Sequence, residues 1–513
     1  MLLSNVISCN LVGLDGEIIN VETDISNGLP SFTIVGLPDT AVRESKERIR
    51  AALKNSGFQF PIKKITINLS PANTKKEGTH FDLPMAIGIL AASSQIEEKS
   101  LKEYAFIGEL SLNGRLNKVI GALPIVISFR EKGYKKIILP KQNINETSII
   151  EDAEIYGFDN LKEIIEFLNG EIDIEPFKQN SAEMNLFNKR YYDVDFSEVS
   201  GQSNVIRAFQ IAAAGAHNII LIGPPGAGKT MLARRFPTIL PDMTIEESIE
   251  VTKIYSVAGL LSDNCSLITS RPFVSPHHTA SKVSLIGGGK IPKPGDVSLA
   301  HLGVLFLDEF PEFQKSVLEA LRQPMEDEEV TISRVNAKIT YPSKFILVAS
   351  MNPCPCGYYN DPYNECKCSP SQVRKYLSKI SGPLLDRIDI HVEVFPVKYQ
   401  ELVKNTKNQN SSEIKKKVDK ARLIQLERYK NEKINYNSQL SPKLIKKYCH
   451  LKYKQNKLLE TAFYKLKMSA RSYNKIIKLS RTIADLNESE EIKTVHIAEA
   501  IQYRSLDKKF WEV

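Results

Sequence analysis

The stretch LIGPPGAGKT, residues 221–230, decides the fold. It runs from Gly223 through Pro224, Pro225, Gly226, Ala227 and Gly228 to Lys229 and Thr230, the spacing G-x-x-x-x-G-K-T. Glycines so placed let backbone N–H groups curl around phosphate oxygens, and a following helix adds a favourable dipole. HNIILIG before the loop reads as a strand and TMLARRF after it as a helix, a setting that a chance glycine-rich turn lacks. In this reading Lys229 reaches the β- and γ-phosphates of a nucleotide and Thr230 ligates Mg²⁺.

Three downstream stretches extend the reading. GVLFLDE (303–309) is an apolar strand ending in paired acids, which suits metal ligation by Asp308 and water polarisation by Glu309. A strand capped by solvated acids is the bland alternative, and the loop upstream weighs against it. KFILVASMN (344–352) is a third apolar strand, ending in Asn352, a polar group that could orient an attacking water. SGPLLDRIDIHVEV (381–394) places Arg387 on a short turn. There it either completes a neighbouring subunit's site or forms a surface ion pair with Asp386 or Asp389. Together these features predict a P-loop ATPase core of the AAA+ type.

A chain of 513 residues has room for two to four domains. Strand-like and helix-like segments alternate over 1–170; KKITINL reads as a buried strand, and the Asn-Gly of YAFIGELSLNGRL reads as a hairpin turn. Periodicity is lost over 171–198, the expected linker. The α/β pattern resumes at 199 and runs to 394, and 395–513 reads as helical. No apolar run approaches the roughly 20 residues that span a bilayer. The start, MLLSNVISCNLVG, lacks a charged n-region and a cleavage site, so the expectation is a cytoplasmic chain with no signal peptide and no membrane partner. Residues 401–513 hold 26 Lys and Arg against 13 Asp and Glu, either a solvated helical surface or a face for a polyanion.

Four of the seven cysteines, Cys354, Cys356, Cys366 and Cys368, fall within CPCGYYNDPYNECKC. Four thiolates on a Gly-, Asn- and Asp-rich loop suit tetrahedral Zn²⁺, although the Cys-x-Cys gaps are tighter than usual. Reduced thiols or a redox-sensitive disulfide are the alternatives.

Over nearly its whole length the chain resembles the YifB/ComM family of magnesium-chelatase-like AAA+ proteins. The resemblance is carried by GLPSFTIVGLPDTAVRESKERIRAAL, GPPGAGKT, RPFVSPHHTASKVSLIGGG, PGDVSLAHLGVLFLDE, VASMNPCPCG, SGPLLDRIDIHVEV and SARSYNKIIKLSRTIADL. It implies a homo-hexameric ring with ATP and Mg²⁺ between subunits, Asn352 as sensor 1, Arg387 as a finger in trans, and Arg471 as sensor 2. The implied fold is an α/β P-loop AAA+ core with an N-terminal Lon-protease-like α+β domain and a C-terminal helical domain.

The Lon-like domain lacks the protease's Ser–Lys dyad. KKEGTHFDLPMAIG (75–88) offers His80 and Phe81 where the nucleophile belongs, and Pro124 stands in place of the lysine. A serine hydroxyl needs a nearby base to attack, so proteolysis is expected to be lost. An unrelated Ser111–Lys118 dyad is the alternative.

Two inserts, 271–299 and 328–341, are placed near the ring's pore by the resemblance. Lys290, Lys293, Arg334 and Lys338 offer positive charge to a phosphate backbone with no aromatic platform beside them, which favours sequence-independent tracking of DNA. Adjacent His277 and His278 read as pore-lining or structural rather than as metal ligands. The resemblance implies a DNA motor, a helicase or a branch-migration enzyme for recombination intermediates as in natural transformation. A protein-remodelling factor and a chelatase-like motor subunit are the alternatives.

Overall fold

The computed structural model describes residues 3–97, 101–177, 192–263, 265–289, 292–334, 337–361, 363–397, 409–466 and 468–511. The chain forms two compact units, Met1–Lys189 with Ile245–Thr269 and Arg190–Thr244 with Ser270–Val513. Among the described residues, no helix is long and apolar enough to cross a membrane.

The first unit is built on strands β1 (Leu3–Val12), β2 (Asp15–Ser26), β3 (Ser31–Val35), β4 (Lys64–Ser70) and β5 (Tyr104–Phe106), the short pair β6 (Glu109–Leu110) and β7 (Leu116–Asn117), then β8 (Lys136–Pro140) and β9 (Glu154–Phe158). Seven of them form one mixed sheet in the order β3-β4-β2-β1-β5-β8-β9. Along β2 and β4 alternate residues, Ile19, Val21 and Ile25, and Ile65, Ile67 and Leu69, are buried, as the period of two requires. The expected hairpin is β6–β7, with Gly114 at φ +81° in its turn. Helix α1 (Thr40–Asn55) starts where Asp39 Oδ1 accepts from Val42 N–H at 2.8 Å, a cap worth about 0.5–2 kcal/mol. Helix α2 (Asp82–Ala92) is buried on every side, and α3 (Ala122–Glu131) and α4 (Leu161–Leu168) complete the unit.

The helix Ile245–Ala258 and the residues after it belong to this unit, although the sequence reading placed them inside the ATPase core. Their partners explain the difference. Ser256 Oγ donates to Glu146 at 2.8 Å, Gly121 N–H donates to Ser256 O at 3.2 Å, and Lys118 pairs with Asp263 at 2.7 Å.

The second unit contains α5 (Ser203–Gly215), β10 (Ile219–Ile222), α6 (Lys229–Arg235), β11 (Phe273–Val274), the hairpin β12 (Gly287–Gly288) and β13 (Lys293–Pro294), and β14 (Val304–Leu307). A second hairpin, β15 (Glu329–Arg334) and β16 (Ala337–Pro342), precedes β17 (Ile346–Met351) and β18 (Ile390–Glu393). The main sheet runs β11-β14-β17-β10-β18, all parallel, so the strand that feeds the phosphate loop lies inside it. IILI, VLFL and ILVASM are buried at every residue, as parallel strands covered on both faces must be.

The basic tail forms α7 (Ser411–Arg428), α8 (Pro442–Tyr448), α9 (Tyr453–Lys465), α10 (Ala470–Leu486) and α11 (Thr494–Trp511). Ile476, Leu479 and Ile483 of α10 share one apolar cluster with Ile219, Leu221, Val304 and Ile390 of the sheet. Residues 395–513, expected as a separate domain, therefore share a core with the strands. The expected linker 171–198 is also shorter at its end: Phe196 is fully buried in this core beside Phe209, ring centroids 6.2 Å apart, while 178–191 lies outside the described residues.

Candidate nucleotide site

Strand β17 lies between β10 and β14, so the loops leaving their carboxyl ends converge. Crevices at such ends are where open parallel sheets bind ligands. Gly226 (φ +77°) and Gly228 (φ +85°) take the left-handed conformations that shape the phosphate loop. Lys229 Nζ donates to Gly223 O at 2.7 Å, Pro224 O at 2.9 Å and Asn352 Oδ1 at 3.1 Å. Burial pushes its pKa down to about 8, against the pull of Asp308 and Glu309. Thr230 Oγ1 donates to Asp308 Oδ2 at 2.7 Å, and Ser350 Oγ donates to the other carboxylate oxygen. These groups line a cleft of about 350 Å³ with Pro225, Ala227 and Glu309. The Thr230 hydroxyl and Asp308 carboxylate lie side by side as hard oxygen donors, a set that fits Mg²⁺.

Glu309 has φ +52°, a conformation costly for a residue with a Cβ. Its Oε2 lies 3.2 Å from Nδ1 of His278. Sequence reasoning missed this contact. His278 follows the edge strand β11, which pairs with β14, and only that pairing brings the imidazole to the acid.

Arg387 and Arg471 meet elsewhere. Both face Glu326, in the helical turn Pro324–Asp327; Arg387 Nη2 donates to Oε2, and Arg471 Nη2 lies 3.6 Å from Oε1. Arg387 is not paired with Asp386 or Asp389, the surface alternative. This cluster is at the amino ends of the strands, where Asn218 Nδ2 donates to Arg387 O at 3.1 Å. The four residues of β10, about 13 Å, separate it from the phosphate loop. Both arginines line a cavity of about 730 Å³ with Lys475 and Lys478. Beneath it Asp389 is held by Lys475 at 2.7 Å and His217 at 3.2 Å. Burial alone would raise the Asp389 pKa; Lys475 and His217 outweigh it and hold the carboxyl far below its usual range.

The four cysteine sulfurs all lie within 4.8 Å of one another. Cys354 Sγ is 3.3 Å from Cys356 Sγ and 3.7 Å from Cys366 Sγ, and the last two are 3.6 Å apart. A tetrahedral zinc with Zn–S bonds of about 2.3 Å sets its sulfurs about 3.8 Å apart. A disulfide needs about 2.05 Å. The donor set fits the metal and not a disulfide. Among the described residues this is the one group of three or more His, Cys, Asp or Glu ligands close enough to share an ion.

In the first unit, His80 is buried, its ring Nε2 2.9 Å from Cys9 O, and burial pushes its pKa down to about 4. Phe81 is fully buried and Pro124 sits inside α3, so neither place offers a nucleophile or a base. The Ser111–Lys118 dyad is not formed. Ser111 Oγ donates to Asn117 Oδ1 at 3.0 Å, and the Lys118 ammonium donates to Asp263 at 2.7 Å and Leu261 O at 3.1 Å.

Of the expected DNA contacts, Lys290 lies outside the described residues, as does the side chain of Arg334. Lys338 is exposed on β16, opposite Ser333, and Lys293 is exposed on β13. The two hairpins are joined where Tyr341 Oη donates to Pro292 O at 2.9 Å.

A parallel sheet with its phosphate loop on an inner strand, an acid just past β14 beside the Thr230 hydroxyl and a polar residue just past β17 places the chain in the AAA+ class of P-loop proteins. Family models agree along the chain: "Magnesium chelatase, subunit ChlI" matches 195–402, "Subunit ChlI of Mg-chelatase" 21–143, and "Magnesium chelatase, subunit ChlI C-terminal" 408–504. The chain is 44% identical to Competence protein ComM of Haemophilus influenzae, over 99% of this chain and 98% of that one. It is 42% identical to the uncharacterized protein YifB of Escherichia coli over 99% and 98%. The N-terminal part also matches the Lon protease of Buchnera aphidicola, 25% identical over 29% of this chain and 21% of the protease. The chain belongs to the ComM/YifB family of magnesium-chelatase-related AAA+ proteins.

Proposed function

We propose that this protein hydrolyses ATP as a hexameric ring and uses the energy to move DNA, as a helicase or branch-migration motor on recombination intermediates. The observation that carries the ring is the placement of Arg387 and Arg471 on Glu326, at the opposite end of the sheet from their own Lys229. An arginine there cannot serve its own phosphate loop, but it can reach the loop of a neighbour packed against that end.

The geometry supports the following roles. Lys229 exchanges its carbonyl and Asn352 partners for the β- and γ-phosphates. Thr230 and Asp308 would hold Mg²⁺, which neutralises phosphate charge when bound. Glu309, turned into the cleft, accepts the proton of the attacking water, and Asn352 orients that water. Arg387 and Arg471 of the adjacent subunit stabilise the charge of the transferring phosphoryl group.

Similarity to a competence protein supports a substrate of DNA, and the basic residues on the inserts and helical tail suit a polyanion. The first unit is read as a scaffold that has lost proteolysis, and the four cysteines as a structural zinc centre. The cytoplasm is the compartment this reading requires. The deciding experiment compares ATPase rates with branched DNA, single-stranded DNA and unfolded protein. Stimulation by unfolded protein alone would replace the DNA motor with a protein-remodelling factor.

A further inference from the structure

The cysteine cluster is built onto the phosphate loop. Cys354, fully buried, stands two residues beyond Asn352, whose side chain holds Lys229 at 3.1 Å. Gly357, one residue after Cys356, lies against Pro225 so closely that a Cβ there would fall 2.5 Å from Pro225 Cδ. Its φ of +88° and its N–H bond to Cys354 O at 3.0 Å make the turn that brings the chain to the loop. Pro353, Tyr359, Asn360 and Asp361 line a small cavity with Gly223 and Pro224. Beyond Cys368, Ser369 and Gln372 form a capping box at the start of the helix Pro370–Leu377. Tyr376 of that helix is buried.

We propose that a zinc ion held by Cys354, Cys356, Cys366 and Cys368 clamps the phosphate loop from behind, so that zinc and nucleotide bind cooperatively to this chain. The inference rests on the cleft at Lys229 being the ATP site. Its physical basis is loop entropy. Without a metal, the Cys354–Cys368 segment joins strand end to helix as an open loop, and ordering Pro225 against Gly357 must draw on nucleotide binding. With the metal, that cost is already met. Binding converts four thiols and Zn²⁺ into a tetrathiolate with release of protons, and no electron moves. The ion would lie outside the chemistry, since no cysteine is among the residues lining the nucleotide cleft.

Linkage makes the test two-sided, because a metal that tightens ATP must itself be tightened by ATP by the same factor. The full-length protein is purified and its zinc measured; about one equivalent per chain is expected, and less than half an equivalent overturns the proposal. Zinc release to a chromogenic chelator is then followed with and without a slowly hydrolysed ATP analogue. Release severalfold slower with the analogue is expected. An unchanged rate, in protein shown to bind the analogue, overturns the coupling and leaves the nucleotide site standing. Zinc-loaded protein that binds no analogue overturns the nucleotide site itself. A Cys356→Ser, Cys366→Ser variant should lose zinc and bind the analogue about tenfold more weakly. Amide exchange at 223–228 should rise while that of β1 and β2 stays unchanged. Affinity and exchange within twofold of the parent also overturn the coupling. If the variant does not fold, the release rates of the unmodified protein decide alone.

Discussion

Lys229 Nζ donates to Asn352 Oδ1 across 3.1 Å, so the cation of the phosphate loop and the polar end of β17 form one unit. That ammonium has a pKa pushed down to about 8 by burial, from 10.5. A bound phosphate favours the charged form, so ATP binding takes up a proton wherever free Lys229 is neutral. Affinity should be flat below about pH 7, fall about twofold by pH 8 and fall by up to about tenfold per unit above it. Titration of a fluorescent ATP analogue at pH 7, 8, 9 and 9.5 checks this. Constant affinity to pH 9.5 would remove Lys229 as the phosphate grip, and Lys229→Ala should weaken binding at every pH.

Glu309→Gln should bind ATP normally, since Thr230 and Asp308 are untouched, and hydrolyse it at least about 100-fold more slowly. The contact from His278 gives a finer prediction. His278→Ala should lower kcat severalfold with ATP affinity unchanged, because the imidazole touches the acid at 3.2 Å and is not among the residues lining the nucleotide cleft. Equal losses in affinity and turnover would assign His278 to binding instead.

The parts of the site that sequence made legible are those fixed by local spacing. The phosphate loop, the acid pair and Asn352 each sit at the end of a short apolar run, and the pattern of each is complete within ten residues. What was not legible depends on pairing between distant segments. Arg387 finds Glu326 from 61 residues away. Ser350 fixes Asp308 from within a strand that reads as uniformly apolar. The helix Ile245–Ala258 carries apolar residues that suit either unit, and nothing local says that Gly121 and Glu146 are its partners. The seven-stranded order of the first unit and the inner place of β10 likewise follow from register, which no single segment encodes.

Arg387→Ala should leave ATP binding intact and lower turnover about 1,000-fold, the scale of a finger residue. Mixing it with Glu309→Gln protein tests whether sites are shared. Each variant is inactive alone, but in mixed rings some interfaces combine a native Glu309 with a native Arg387, and activity should partly return. No recovery despite confirmed co-assembly would take the trans role from Arg387. Arg471→Ala should behave in the same way, since it shares Glu326.

The last prediction concerns DNA. Lys338 is exposed on β16 and Lys293 on β13, and the β15–β16 hairpin is tied to β12–β13 through Tyr341 and Pro292, so these two lysines sit on joined hairpins. If those hairpins grip the phosphate backbone, binding should be indifferent to sequence and steeply salt-dependent. Each contact on single strands contributes about −0.7 to the slope of log affinity against log salt. Replacing Lys290, Arg334 and Lys338 with Ala should flatten the slope by about 2 if all three make contacts. It should also abolish ATPase stimulation by DNA while basal ATPase activity survives, because Lys338 is not among the residues lining the nucleotide cleft and all three lie apart in sequence from the phosphate loop, the acid pair and Asn352. Deleting 401–513 is a poorer test, since α10 carries Arg471 and shares its core with the sheet. The measurement is titration of the triple variant with a labelled oligonucleotide at several salt concentrations. An unchanged slope would exclude the hairpins as the grip and transfer it to the basic helices α7 to α11.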